Sequence, residues 1–314
     1  MTHAFDVLVL GDVNPDLILS GGDVVPAFGQ AERLVDDARL TLGGSGSIFA
    51  AGAARLGLRV AIAGVVGDDV YGRYARDVMD ERGVDTRALA VDPEVSTGLS
   101  VILSRREDRA ILTHLGTIAS LGVAGVDPAV LTVTRHVHVT SFFLQRRLAP
   151  DVAELFAAVR ARGGTTSLDP NWDPSGGWDG GLSEALAQTD VFLPNGVEAS
   201  RVAGTDDLDR ALDLLTGRAG VVVVKDGERG AVVATRSERH RVAPLPVQAV
   251  DTTGAGDSFD AGFLAGWLGG RPLVDAVRLA NACGALSTRA LGGTPAQATL
   301  EEADAFLAKE VAPA

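Results

Sequence analysis

The chain reads as an α/β fold, with a central, mostly parallel sheet covered by helices on both sides and a small second sheet. Three observations predict it. From about residue 135, strand-like and helix-like runs alternate strictly. Val221-Val222-Val223-Val224 is continuously apolar, as a strand buried on both faces would be. Two β-rich pieces, roughly 14–42 and 95–115, stand outside the alternation and could form a small sheet of their own.

The elements follow in order. Phe5 to Leu10 is a buried strand that runs into the turn-rich Gly11-Asp12-Val13-Asn14-Pro15-Asp16. Residues 17–42 hold short alternating stretches and no helix. Gly43-Gly44-Ser45-Gly46 opens a helix from Ser47 to Leu56, which Gly57 stops. Arg59 to Val66 is a strand, and Tyr71 to Arg82 a helix ending at Gly83. Residues 97–115 read as two strands with the charged cluster Arg105 to Arg109 as their hairpin turn. Strands at 136–140, 165–169, 190–193 and 220–224 are then separated by helices at 150–162, 181–188 and 197–217. Phe259 to Leu268 and the segment around Cys283 are apolar and helical. There is no internal repeat and no low-complexity linker, and 314 residues suit one large domain spanning 1–314.

Composition excludes several function classes. The net charge is −13, from 28 basic and 41 acidic residues, which argues against nucleic acid, whose backbone wants clustered Lys and Arg. ATP remains open, because backbone N–H groups and a metal ion can hold its phosphates. A single cysteine, Cys283, permits neither an intrachain disulfide nor a thiolate zinc site. No segment has the ~18 apolar residues that span a bilayer. The expectation is a cytoplasmic protein with no membrane partner. No Gly-Lys doublet occurs, so there is no Walker A loop, and no His-Arg-Asp or Asp-Phe-Gly triplet of a protein kinase. His136 and His138 share one face of a strand but lack a third ligand nearby, and read as structural.

The chemistry concentrates in Asp251-Thr252-Thr253-Gly254-Ala255-Gly256-Asp257-Ser258-Phe259-Asp260-Ala261-Gly262-Phe263. Small residues run straight into a helix, whose first N–H groups lack internal partners and carry the positive end of the dipole. Such a turn cradles phosphate. A carboxylate beside the cradle, Asp257, repels phosphate unless it has another task, and taking a proton from an attacking hydroxyl is such a task.

This string closely resembles the C-terminal signature of the ribokinase-like, phosphofructokinase-B-type carbohydrate kinases. The resemblance extends over nearly the whole chain. It implies a ribokinase-like three-layer αβα fold with a β-sheet lid made from the 14–42 and 95–115 segments. It makes Asp257 the catalytic base and Gly254, Ala255 and Gly256 the anion hole. Gly43-Gly44-Ser45-Gly46-Ser47-Ile48 is similar to the N-terminal signature, but Ser45 and Ile48 stand where ribokinase has a sugar-binding lysine and asparagine. On the same resemblance Asp16 binds sugar hydroxyls, with Asn14, Gly43, Gly44, Ile48 and Ser141 beside it. Asn195 and Glu198 match an Asn-x-x-Glu motif that organises magnesium. Lys225, Gly227 and Gly230 match the nucleotide loop, and Asn281 the adenine contact. Asp251, Thr253, Ser287, Ala290 and Gly292 match a region whose carbonyls hold a monovalent cation (K⁺) in some members. Asp173 stands where the family often has arginine, which argues for a neutral acceptor over a sugar acid. Arg105, Arg106 and Arg109 read as solvated hairpin charges.

The expected activity is Mg²⁺- and ATP-dependent phosphorylation of a neutral sugar, with the lid as a homodimer surface. The alternatives are a nucleoside kinase of the same fold, with Ile48, Phe49, Phe142 and Phe143 around a base, and a silent sugar or nucleotide sensor.

Overall fold

Side-chain alternation along the first strand sets the layering. In β1 (Phe5–Leu10), Val7 and Val9 face one core while Leu8 and Leu10 face another. The computed structural model describes residues 3–22, 24–105 and 108–311. After β1 come β2 (Asn14–Ser20), β3 (Asp37–Gly43), α1 (Ser45–Arg55), β4 (Val60–Gly67), α2 (Val70–Glu81) and β5 (Leu89–Asp92). Next are β6 (Leu99–Arg105), β7 (Asp108–His114), α3 (Pro128–Thr132), β8 (Thr134–Val139), α4 (Val152–Ala161) and β9 (Thr165–Leu168). Then follow α5 (Leu182–Leu186), β10 (Val191–Phe192), α6 (Gly196–Ala203), α7 (Leu208–Thr216), β11 (Val221–Lys225), β12 (Ala231–Ala234) and β13 (Arg239–Val242). Three helices close the chain: α8 (Ala255–Leu268), α9 (Leu273–Ser287) and α10 (Leu300–Val311).

Nine strands form one sheet in the order β13-β12-β11-β10-β9-β8-β1-β4-β5. From β11 to β5 all neighbours are parallel; β12 and β13 add an antiparallel hairpin at one edge. One core packs α1, α2, α8, α9 and α10 on the sheet, and the other packs α3 to α7 on the opposite face. The three layers are those the alternation predicts. The second sheet, β3-β2-β6-β7, comes from the two pieces outside the alternation. At its hairpin tip Arg106 and Glu107 lie outside the described residues.

The differences from the sequence reading have local causes. The single helix expected over 197–217 is two helices. Gly204 ends α6 in the left-handed region (φ 69°), and the Asp207 carboxylate starts α7 by accepting from the Asp209 and Arg210 N–H groups. Helix α1 begins two residues earlier than expected because Asp12 Oδ2 and Oδ1 accept from the Ser45 and Gly46 N–H groups, each at 3.0 Å. Strands β5, β12 and β13 and helix α10 were not foreseen. The first three are short and lie at the edge of the sheet, and β13 is largely exposed and rich in arginine, as solvent-facing edges are. Among the described residues no helix is long and apolar enough to cross a membrane.

The parallel strands matter for function because their carboxyl ends open on one edge. Residues after β1, β8, β9, β10 and β11 converge there, where open α/β sheets bind ligands.

Candidate active site

The floor of the site is the start of α8. Gly254 sits in the left-handed region (φ 69°), and a Cβ there would come within 2.7 Å of the Gly293 Cα and 2.9 Å of Ile48. No side chain caps this helix start, so its first N–H groups remain available to an anion. Asp257 lies in the first helical turn, half-buried. Burial pushes its carboxyl up to about 8, and the Asp169 and Asp12 carboxylates add to the rise; Lys225 and the Ser45 hydroxyl oppose it. The group therefore exchanges a proton near neutral pH, as a general base needs to.

Below lies a buried ion cluster. Lys225 Nζ donates to Asp169 Oδ2 at 2.8 Å and to Asp260 Oδ2 at 2.9 Å. Burial raises the Asp260 carboxyl well above the usual range. Against its own burial, Asp169 is held low chiefly by Lys225. Lys225 stays protonated despite burial because Asp169, Asp260 and Glu198 surround it. The lysine that the resemblance matched to the nucleotide loop is thus turned into the core.

On the acceptor side, Asp16 of β2 is buried, and a Cβ on Gly43 would land 2.0 Å from its carboxyl carbon. Only glycine leaves room for that carboxylate. Burial, with Asp12 and Asp251 nearby, raises Asp16 to about 7, while Arg109 and the Ser100 hydroxyl pull it down. Asn14 donates to the Pro15 carbonyl and to Asp16 Oδ1, and its own Oδ1 is buried without a partner. Gly44 (φ 76°) leaves space where a Cβ would lie 2.6 Å from that oxygen. Asn171 Nδ2 donates to Ser45 Oγ at 2.6 Å and to Ser141 Oγ at 3.0 Å. Asn171 and Ser141 both hold left-handed backbones, φ 52° and 51°. Strain of this kind gathers at ligand sites.

On the nucleotide side, Asn195 and Glu198 form a reciprocal capping box at the start of α6. Glu198 is nevertheless raised to about 7 by burial and by Asp169, so the box does not exhaust its charge behaviour. Gly227 (φ 55°) and Gly230 (φ 82°) shape the loop after β11. Beside Arg109, Asp251 accepts from Thr253 N–H, Thr253 Oγ1 and Gly292 N–H.

Several residues hold places other than those the sequence suggested. Ile48 is buried against Gly254 and Gly293 and supports the glycine turn rather than an acceptor. Phe49 stacks on His138 at 4.0 Å, and Phe142 is fully buried in the core, while Phe143, beside Trp178, is partly open. Asn281 Nδ2 donates to the Ala243 carbonyl at 2.9 Å, tying α9 to the segment after β13. The Ser287 hydroxyl turns back on its own helix, to the Gly284 carbonyl, while Ala290 and Gly292 lie in the loop that Asp251 ties. Asp173 accepts from the Ser175 and Trp178 N–H groups and so organises its own loop. Arg109 is no solvated hairpin charge: its Nη1 reaches Thr252 Oγ1 (3.1 Å), Thr253 Oγ1 (3.2 Å) and Asp251 (3.7 Å) across the site mouth. His136 and His138 both bond Ser167 Oγ, with burial pushing His138 down to about 3, and no group of three metal-type side chains exists among the described residues.

Asp12, Asn171 and Asp260 also stand at the site, although no role was expected of them; Arg109, expected as a hairpin charge that could otherwise swing over an anionic group, joins them.

The model of the pfkB family carbohydrate kinases matches residues 4–300. An ATP-dependent ribose-1-phosphate kinase from Halopiger xanaduensis is 34% identical over 312 residues, covering 96% of this chain and 98% of that protein. A fructokinase from Klebsiella pneumoniae is 32% identical over 271 residues, covering 81% and 88%. A solved E. coli ribokinase II structure in complex with ATP and Mg²⁺ superposes with a TM-score of 0.86 at 26% identity, covering 97% of this chain and 99% of that one.

Proposed function

For a chain that belongs to the pfkB family of carbohydrate kinases, and that phosphorylates a sugar at the expense of ATP, we propose that Asp257 is the base and a neutral sugar the acceptor. The observation that carries this reading is the Asp257 carboxylate, tuned to about 8, set in the first turn of a helix whose N–H groups are uncapped. Asp257 takes the proton from the attacking hydroxyl. The N–H groups of the Gly254–Gly256 turn stabilise the charge on the moving phosphoryl group. Asp16, and the buried Oδ1 of Asn14 that has no partner, accept from acceptor hydroxyls. Glu198, buried and raised to about 7, suits the edge of a magnesium site reached through water. When bound, Mg²⁺ would supply positive charge that offsets the charge of the phosphates. The Asp251–Gly292 loop offers carbonyls to a monovalent cation. The lid excludes water that would otherwise compete for ATP. Ile111 and Leu112, exposed on β7, support a lid-to-lid homodimer, and ATP as donor supports a cytoplasmic setting.

Arg109 favours a second reading. It sits near enough to Asp16 to lower its proton affinity, so a phosphate on the sugar would find a cation there. The Halopiger xanaduensis relative, named for ribose 1-phosphate, supports that reading. The test is kcat/KM across fructose, ribose, ribose 1-phosphate and adenosine, with Asp257→Asn alongside. Neutral sugars should lead. A tenfold preference for ribose 1-phosphate, about 1.4 kcal/mol, would hand the acceptor to the second reading, and turnover undiminished in Asp257→Asn would remove the base.

A further inference from the structure

None of the steps above uses the Lys225 ammonium. Its side chain is only 13% exposed, and its partners Asp169 and Asp260 are more deeply buried still. The ammonium's contacts fall on three functional segments. Asp169 opens the loop whose Asn171 holds Ser45 and Ser141, and Asp169 Oδ1 accepts from the Asn171 N–H at 3.0 Å. Asp260 lies one turn beyond Asp257 on α8. Lys225 itself ends β11, with its own N–H on the Pro194 carbonyl next to Asn195. The ammonium also lies under the glycine turn, since a Cβ added to Gly256 would be 3.8 Å from Nζ.

Stability does not account for this cluster. Desolvating an ammonium and two carboxylates offsets most of their attraction, and well-packed apolar replacements are often as stable. The charge requirement of the reaction does account for it. Asp12, Asp169, Asp257 and Glu198 already crowd the site, and a triphosphate adds more negative charge. A fixed cation beneath the turn offsets that load without reorganising during the reaction.

We infer that Lys225 is the positioning residue and fixed counter-charge of phosphoryl transfer: through Asp169 and Asp260 it locks the acceptor loop, the base helix and the nucleotide strand in one register, and it keeps a positive charge beneath the Gly254–Asp257 turn. This rests on the reading of Asp257 as the base.

The groups facing Asp257 make the inference testable in sign. They are Asp169 after β9, Lys225 on β11, Asp12 after β1 and the Ser45 hydroxyl of α1. Lys225 favours the ionised base and Asp169 disfavours it. The experiment is kcat against pH at saturating substrates for Lys225→Met, Lys225→Arg and Asp169→Asn, with Asp257→Asn as reference. Lys225→Met should lose about 100-fold or more in kcat, the cost of one preorganised donor, and its acid limb should move to higher pH. The limb of Asp169→Asn should move to lower pH, and that of Lys225→Arg, which keeps the charge, should lie closer to the wild type than that of Lys225→Met. A fall in kcat with unmoved limbs, or limbs moving the same way in Met and Asn variants, overturns the inference. If Lys225→Met does not fold, an Asp169→Asn limb that stays in place overturns it equally. If Asp257→Asn keeps its turnover, the base itself is misassigned; if it collapses while the limbs stay put, only the Lys225 inference fails.

Discussion

The floor of the site and its lid each set a cation against carboxylates, at different depths. On the floor, Lys225 is buried between Asp169 and Asp260 at 2.8 and 2.9 Å. At the lid, Arg109 is 37% exposed and meets Asp251 at 3.7 Å, with two threonine hydroxyls between. Water screens the lid contact and leaves it worth ~1 kcal/mol or less. The floor contact cannot be broken without stranding a buried charge, which costs several times more. The difference teaches a division of labour: the floor is built to hold still, and the lid to let go.

Predictions that break or sharpen this contrast run from the floor outwards. Asp257→Asn should lower kcat by about 10²–10⁴-fold, the usual worth of a general base. ATP binding, measured by calorimetry, should persist, since the substitution removes a negative charge beside the phosphates. If activity fell only through loss of ATP binding, the floor would be a binding surface and no more.

Asp16→Ala comes next. Hydrogen bonds to a charged group are worth about 1.5–3 kcal/mol each, so acceptor KM should rise roughly tenfold or more while ATP affinity holds. With its carboxyl raised to about 7, Asp16 gains charge as pH climbs through neutrality. Acceptor affinity should therefore improve across that range in the wild type and stay flat in the alanine variant.

Arg109→Ala should have a smaller effect: a few-fold rise in acceptor KM and almost no change in melting temperature, as for other exposed contacts. A drop of several degrees would mean that the lid is as fixed as the floor. A selective loss on ribose 1-phosphate would instead assign Arg109 to an acceptor phosphate.

The last effect is on stability. Asp257 binds its proton more tightly when folded, at about 8 against the ordinary 3.8. Ionising it costs the folded state, so the wild type loses stability as pH rises from about 4 to about 8. Asp257→Asn lacks this loss. Its melting temperature should exceed that of the wild type by a margin that grows across that window and then levels off. A margin independent of pH would show that the carboxyl is not desolvated.

The same contrast explains what could be read in the sequence. The glycine turn and the carboxylate beside it stood out in the sequence because their arrangement is local: small residues and a helix start sit next to Asp257 in the chain, whereas Asp16 was singled out only through the family resemblance. Strands β1 and β11 were legible because burial on both faces leaves apolar runs, Val7 to Leu10 and Val221 to Val224, whereas β8 and β9, which bury His136, His138, Thr166 and Ser167, were placed by the alternation of strands and helices. Asp12 was not, because it gains its role from Ser45, 33 residues on. Asn171 meets Ser45 over 126 residues, and Arg109 meets Thr252 over 143. Such pairs exist only once the sheet has brought its strand ends together, and no spacing rule encodes them. Phe142 and Phe49 misled for the opposite reason: an aromatic beside a site motif looks the same in the sequence whether it lines the pocket or fills the core.

Only two lysines occur in the chain, Lys225 and Lys309. The first is protonated and enclosed, so acylating or reductively alkylating reagents find no free electron pair there. Lys309 is exposed on α10. Besides the chain's own α-amino group, an amine-directed dye or tether should therefore find this one side chain, at the far end of the chain from the first strand, and leave turnover intact.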